Sequence, residues 1–235
     1  MLMRKAECMD KPNLSSHEIS SQQAVLVQNL ELSFNNQTIF SQLSFELTTG
    51  KTLFLEGPSG SGKSSLFKML LGLICPGAGE IKVLGQQMSS RSVWSIRRQI
   101  GYMPQEPDPG SLTVREFIEH PFQYKANHDK SFSREKLEYW MDYFGLQPSL
   151  LDQSGTSLSG GQKQRFAFIF VILLDRPLIL LDEPTSALDQ SSRQALKRWI
   201  TDQKDKTFLI ISHDRDLQEL KKQSIRIPDI TGGRQ

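Results

Sequence analysis

Eight consecutive residues, Gly57-Pro58-Ser59-Gly60-Ser61-Gly62-Lys63-Ser64, match G-x-x-x-x-G-K-[ST] in full. An apolar stretch, Lys51 to Glu56, precedes them and a helical pattern, Lys63 to Leu73, follows. In that context the pattern cradles phosphate. Glycines let backbone N–H groups turn inward where a Cβ would obstruct the turn, and the positive end of the following helix adds its dipole. Lys63 is placed to reach the β- and γ-phosphates, and the Ser64 hydroxyl to hold Mg²⁺. The expected contacts to the nucleotide run from Gly57 through Ser65. By itself this loop does not separate a kinase from a GTPase, a motor or a transporter.

A second feature is Leu178-Ile179-Leu180-Leu181-Asp182-Glu183, an apolar strand ending in two carboxylates. In a parallel sheet, a strand beside the phosphate loop brings its C-terminal end to the nucleotide crevice. Asp182 is then positioned for Mg²⁺. Glu183, one residue on and pointing elsewhere, suits a general base or polariser of an attacking water. A third feature, Leu158-Ser159-Gly160-Gly161-Gln162-Lys163-Gln164-Arg165, opens a helix at Ser159. Its free N–H groups and dipole make a second anion site.

These residues need a scaffold. Alternating apolar residues at Val25, Val27, Leu30, Leu32 and Phe34, then Ile39 to Leu47, predict antiparallel strands with one wet face. A further strand pair is expected at Glu80 to Leu84 and Gln99 to Met103. Between Pro107 and Leu158 the pattern turns helical, over Val114 to Tyr124 and Arg134 to Phe144. Beyond the helix from Ser159 come the strand Leu178 to Leu181, a helix Ser191 to Thr201 and a strand Thr207 to Ile211. Strand and helix alternate at both ends of the chain, so the body is α/β with a mostly parallel sheet, and the helical middle is an insertion.

Composition narrows the function. The 235 residues carry a net charge of +2, which disfavours a dedicated nucleic-acid binder. Cys8 and Cys75 form no CxxC pair, so a disulfide or zinc framework is not expected and a reducing compartment is the default. The polar N-terminus lacks the apolar core of a signal peptide and is expected to be a flexible extension over residues 1–23. The most apolar run, Phe166 to Leu174, is shorter than the about 20 residues a membrane span needs. It reads as a buried helix of a soluble protein.

The segment Leu158 to Arg165 resembles the signature motif of the ABC ATPase family, and the order of phosphate loop, signature and acidic strand is the family's order. The resemblance covers about Val25 to Asp214. It implies a P-loop NTPase fold over residues 24–235, with an antiparallel β subdomain and a helical subdomain inserted at about 107–170. It implies that Ser159, Gly160, Gly161 and Gln162 close on ATP held by the opposite subunit of a homodimer. Gln105 resembles the family's glutamine loop, which senses Mg²⁺ and the attacking water. Ser186-Ala187-Leu188-Asp189 resembles the dimer-contact loop, with Asp189 as the contact. His213, in Ile211-Ser212-His213-Asp214, resembles the switch histidine, and Phe34 stands where an aromatic stacks on adenine.

The implied catalytic set is Glu183, His213 and Gln105, and the implied Mg²⁺ set is Ser64, Gln105 and Asp182. The implied function is an ATPase that energises an integral-membrane permease carried on another chain, at the cytoplasmic face of the inner membrane, with no nucleic acid as partner. The alternative within the family is a soluble ATPase acting on nucleic acid or ribosomes. It is disfavoured because the chain has neither a long coiled-coil insertion nor a second cassette. The stretch Phe117 to Phe144 is similar to subunits proposed for metal-ion export. One departure stands out: after Arg165 the family continues with alanine and a further arginine, whereas Phe166 to Leu174 is almost wholly apolar. That helix is expected either to be more deeply buried or to pack against a partner.

Overall fold

The structure, a computed structural model, describes residues 23–34, 37–221 and 223–227. The extension expected over residues 1–23 lies outside them except for Gln23, which opens the first strand. Two sheets form the frame. The antiparallel one has strand order β2-β1-β4-β5, with β1 at Gln23–Phe34, β2 at Gln37–Thr48, β4 at Ala78–Val83 and β5 at Gln86–Gln87. The parallel one has order β6-β7-β8-β3-β9, from Ile100–Met103, Leu178–Asp182, Thr207–Ile211, Thr52–Glu56 and Gln223–Arg226.

Two details differ from expectation. The strands near residues 80–84 and 99–103 both form, but they do not pair. β4 lies antiparallel along β1, with Val25 opposite Val83, while β6 joins the other sheet parallel to β7, with Ile100 opposite Leu178. Neighbouring apolar segments carry no label saying which sheet each will join, and the short helix α2 (Val93–Arg97) between them makes the crossing. Cys75 is disulfide-bonded, against the expectation of no disulfide. Separation along the chain does not decide which thiols meet.

The parallel sheet is buried on both faces, which is why its strands read as unbroken apolar runs. Alternation sends Leu53, Leu55, Leu178, Leu180, Leu209 and Ile211 to one side, against α1 (Lys63–Leu70) and the antiparallel sheet. Phe54, Ile179, Leu181, Phe208 and Ile210 face the other side, against the helical insertion. That insertion holds α3 (Val114–Glu119), which tightens into a 3₁₀ turn at His120–Gln123 around Pro121, and α4 (Arg134–Tyr143). It leads into α5 (Gly160–Leu174). The C-terminal part adds α6 (Gln190–Asp202) and α7 (Arg215–Gln218).

The apolar run of α5 takes the first of the two options left open above: Phe166, Ala167, Phe168, Ile169, Val171 and Ile172 are all buried. Phe168 joins an edge-to-face aromatic ladder, 5.4 Å from Phe144 and 5.0 Å from Trp199, which in turn lies 5.8 Å from Phe208. The ladder runs from α4 through α5 and α6 to β8, so the insertion is anchored to the sheet that carries the acidic strand. No helix among the described residues is long and apolar enough to cross a membrane.

Candidate functional site

The phosphate loop leaves the C-terminal end of β3 and enters α1. Gly62 has φ +92, and a Cβ there would stand 2.3 Å from Ile39 Cγ2 and 2.9 Å from Phe40 Cζ. The antiparallel sheet therefore presses directly on the loop, and only glycine fits. Lys63 is folded back across the loop, its Nζ donating to the carbonyls of Gly57 and Pro58 at 2.8 Å each. Burial lowers its pKa, with Glu183 and Asp182 pulling the other way. Ser61 is buried and its hydroxyl has no hydrogen-bond partner, an unsatisfied group of the kind functional loops carry.

A crevice of about 520 Å³ opens over this loop. Ser59, Gly60, Gly62, Lys63, Ser64 and Ser65 line one side. Gln105, Asp182, Glu183 and His213 line the other, so the structure brings together residues from the loop and from the ends of three strands. Gly57, Pro58 and Ser61 belong to the loop but do not line the crevice. Asp182 is 3% exposed and accepts a hydrogen bond from the Ser64 hydroxyl. Burial raises its pKa, while Ser64, Lys63 and Lys68 oppose the rise.

Glu183 differs from expectation in direction. Strand alternation sends successive side chains to opposite faces, yet Asp182 and Glu183 line the same crevice. The cause is local: Glu183 has φ +46, a left-handed conformation that ends the alternation. Its N–H donates to the Ile211 carbonyl at 2.8 Å. Its carboxylate accepts from the His213 N–H at 3.2 Å and lies 3.5 Å from His213 Nε2. Burial raises the Glu183 pKa, the His213 N–H and ring lower it, and neighbouring Asp182 raises it again. A half-buried carboxylate held above its ordinary range and facing an open crevice is suited to accept a proton.

The donor set fits Mg²⁺. Asp182 and Ser64 offer hard oxygens side by side, hydrogen-bonded to each other at the floor of the crevice. Among the described residues no cluster of three or more His, Cys, Asp or Glu can hold a metal. Mg²⁺ needs none, since it takes one or two protein oxygens and completes its shell from phosphate and water.

The signature residues stand apart. Ser159 caps α5 in a capping box: its Oγ accepts from the Gln162 N–H at 3.3 Å, and Gln162 Oε1 accepts from the Ser159 N–H at 2.9 Å. Ser159 and Gly160 are exposed, and neither they, Gly161 nor Gln162 lines the crevice over the same chain's phosphate loop. Gly160 instead lines an adjoining hollow of about 590 Å³ with Gln105, Lys163 and Ser186. Asp189 has a structural task as the N-cap of α6, accepting from the Ser192 N–H at 2.8 Å and the Ser191 hydroxyl at 2.9 Å. Those bonds hold its pKa down at about 2. Phe34 ends β1, is 45% exposed and lies outside the crevice lining. Gln164 was visible only as one more residue of the signature helix; spacing gives no sign that its buried side chain reaches the turn after β7.

Residues 40–186 match a family model described as ABC transporter. The chain is 32% identical over 208 residues to the Energy-coupling factor transporter ATP-binding protein EcfA1 of Mycoplasma pneumoniae, covering 86% of this chain and 74% of that protein. It superposes with a TM-score of 0.71 and 25% identity on a dimeric ATP-binding cassette in a post-hydrolysis state bound to ADP and Pi, covering 86% of this chain and 93% of that one. It shares its fold with a bacterial Atm1-family ABC exporter with ATP bound, at a TM-score of 0.77 and 24% identity, covering 94% of this chain and 40% of the exporter.

Proposed function

Because the chain belongs to the ABC transporter family, we propose that two copies close around ATP and drive a membrane permease carried on a separate chain. The chain is an ATP-binding, ATP-hydrolysing subunit. One observation carries the reading: the crevice gathers Lys63, Ser64, Asp182, Glu183, Gln105 and His213, while the exposed helix start at Ser159 lies outside it. A capped helix start with free N–H groups is an anion site, and a second copy is the partner that brings it to the first copy's nucleotide.

In this reading Gly57 to Ser65 wrap the phosphates, Lys63 swings from its own carbonyls to the β- and γ-oxygens, and Phe34 lies against the base. Ser64 and Asp182 hold Mg²⁺, with Gln105 able to join them. When bound, the ion neutralises charge building on the phosphate oxygens. Ser159, Gly160, Gly161 and Gln162 of each chain meet the other's γ-phosphate, with Asp189 at the dimer contact. Glu183 takes the proton of the attacking water, and His213 and Gln105 hold that water and the γ-phosphate in line. Loss of the γ-phosphate removes the bridging contacts, and the pair reopens. The insertion at about 107–170 carries the motion to the permease, at the membrane face where the subunit is held peripherally. The similarity to an energy-coupling factor ATP-binding protein supports the transport reading over the nucleic-acid one.

The test is Glu183→Gln with MgATP, read by light scattering. A long-lived ATP-bound dimer with turnover lowered by at least about a hundredfold is expected. A strictly monomeric variant, or one that hydrolyses at the normal rate, overturns the reading.

A further inference from the structure

Gln164 sits one turn into α5 and is 1% exposed. Its amide is spent on one stretch of chain, the turn that follows β7. Nε2 donates to the Glu183 carbonyl at 3.1 Å and to the Ser186 hydroxyl at 2.9 Å, and Oε1 accepts from the Ala187 N–H at 2.9 Å. Both donors and the acceptor are engaged, so loss of this side chain strands three polar groups in a place with little water. The backbones are also in contact. A Cβ on Gly161 would stand 2.7 Å from the Ala187 carbonyl oxygen, and one on Gly160 would meet the Ala187 Cβ at 3.6 Å. The first turn of α5 and the turn at 183–187 therefore shift together or not at all.

What this clamp holds is the strained peptide of the reacting carboxylate. Glu183 sits at φ +46, which an L side chain keeps only when its surroundings over-determine it. Its N–H is fixed by the Ile211 carbonyl, its carboxylate by the His213 N–H, and its carbonyl by the Ser186 N–H at 3.2 Å together with Gln164 Nε2. Of these four bonds, only the Gln164 one comes from the element that starts at Ser159.

We propose that Gln164 is a positioning residue: it ties the helix start at Ser159 to the peptide that aims Glu183 of the same chain. The inference rests on the dimeric reading above. Each chain then serves two nucleotides, its helix start completing the twin's site and its Glu183 acting in its own. When the twin's nucleotide orders Gly160 and Gly161, the Gln164 amide passes that order to the Glu183 carbonyl, so the first nucleotide bound across the dimer readies the base for the second. The coupling is a short chain of hydrogen bonds between two sites, and its signature is cooperative hydrolysis.

Two variants test it. Gln164→Met keeps length and volume but removes all three bonds. Gln164→Glu keeps an acceptor for the Ala187 N–H and the Ser186 hydroxyl, but turns a carboxylate oxygen toward the Glu183 carbonyl and so cancels that one bond. Both are expected to lower kcat by about ten- to a hundredfold and to bring the Hill coefficient for ATP to one. Affinity of the isolated subunit for a fluorescent ATP analogue stays within about twofold, because no Gln164 contact touches the phosphate loop. Should the Met variant fail to fold, the Glu variant, which retains the loop contacts, carries the test. Cooperative hydrolysis at the unaltered rate in either folded variant overturns the proposal, as does a Hill coefficient of one in the unaltered protein. A failure of the dimeric reading shows separately, as an unaltered protein and Glu183→Gln variant that never dimerise on MgATP.

Discussion

The left-handed backbone at Glu183 allows a sharp test that needs no ligand. Consider Glu183→Gly and Glu183→Ala, each measured against the other in the nucleotide-free protein. Both lose the carboxylate and its contact with the His213 N–H, and the alanine Cβ occupies space the glutamate Cβ already fills. The pair therefore differs in backbone preference and in the one methyl group that alanine keeps. At an ordinary position glycine is the less stable of the two by about 0.5–1 kcal/mol, through its greater loss of freedom on folding. At φ +46 alanine bears a cost of roughly 1–2 kcal/mol that glycine escapes. Taken at the middle of each range, the balance reverses sign and leaves glycine ahead by about 0.5–1 kcal/mol. With a urea m-value of about 2–3 kcal/mol/M, the glycine midpoint sits roughly 0.2–0.5 M above the alanine one at equal slope. Both variants are expected to lack hydrolysis. An alanine variant as stable as the glycine one refutes the claim that the base is held in a strained turn, and removes the physical basis for a clamp on its carbonyl.

Two further outcomes follow from the same geometry. Burial raises the Glu183 pKa above its ordinary value of 4.5, so the acid limb of the hydrolysis profile should have its midpoint above that value. The folded state then binds more protons than the unfolded one in that window, so this group's contribution to stability is present below 4.5 and is lost as pH rises through the folded pKa. Urea titrations across that range should be flatter for Glu183→Gln; equal slopes would remove the shift. Ser159→Ala breaks the capping box and should cost about 1 kcal/mol, a fall in Tm of roughly 2–4 °C. ATP-driven dimerisation should weaken far more than nucleotide binding by one subunit, and equal losses of both would place Ser159 in the same chain's site.

Much of this molecule was legible in its residues. The loop from Gly57 to Ser64, the strand ending at Asp182 and the helix start at Ser159 each state their local structure in their own composition. Glycines permit the turn, an unbroken apolar run demands burial on both faces, and a serine before Gly160 and Gly161 with a glutamine three residues on caps a helix. Short-range physics decides these features, so short stretches reveal them. Strand β9, at Gln223–Arg226, was missed because it has no apolar pattern; it is held by parallel pairing with β3.

Other features needed the whole fold. The apolar segments at Ala78–Val83 and Ile100–Met103 carry the same local signal, but β1 captures one and β7 the other. Glu183 would follow strand alternation away from Asp182, until the Ile211 carbonyl and the His213 N–H bend its backbone into the left-handed region. Gln164 is one of four consecutive polar residues, Gln162 to Arg165, at the start of its helix, and its partners lie about twenty residues on, across a turn. Composition and spacing determined which residues can bind phosphate and carry a buried acid. Tertiary structure alone decided where the two carboxylates point and what fixes them, because hydrogen bonds between distant segments form only once packing has brought those segments together.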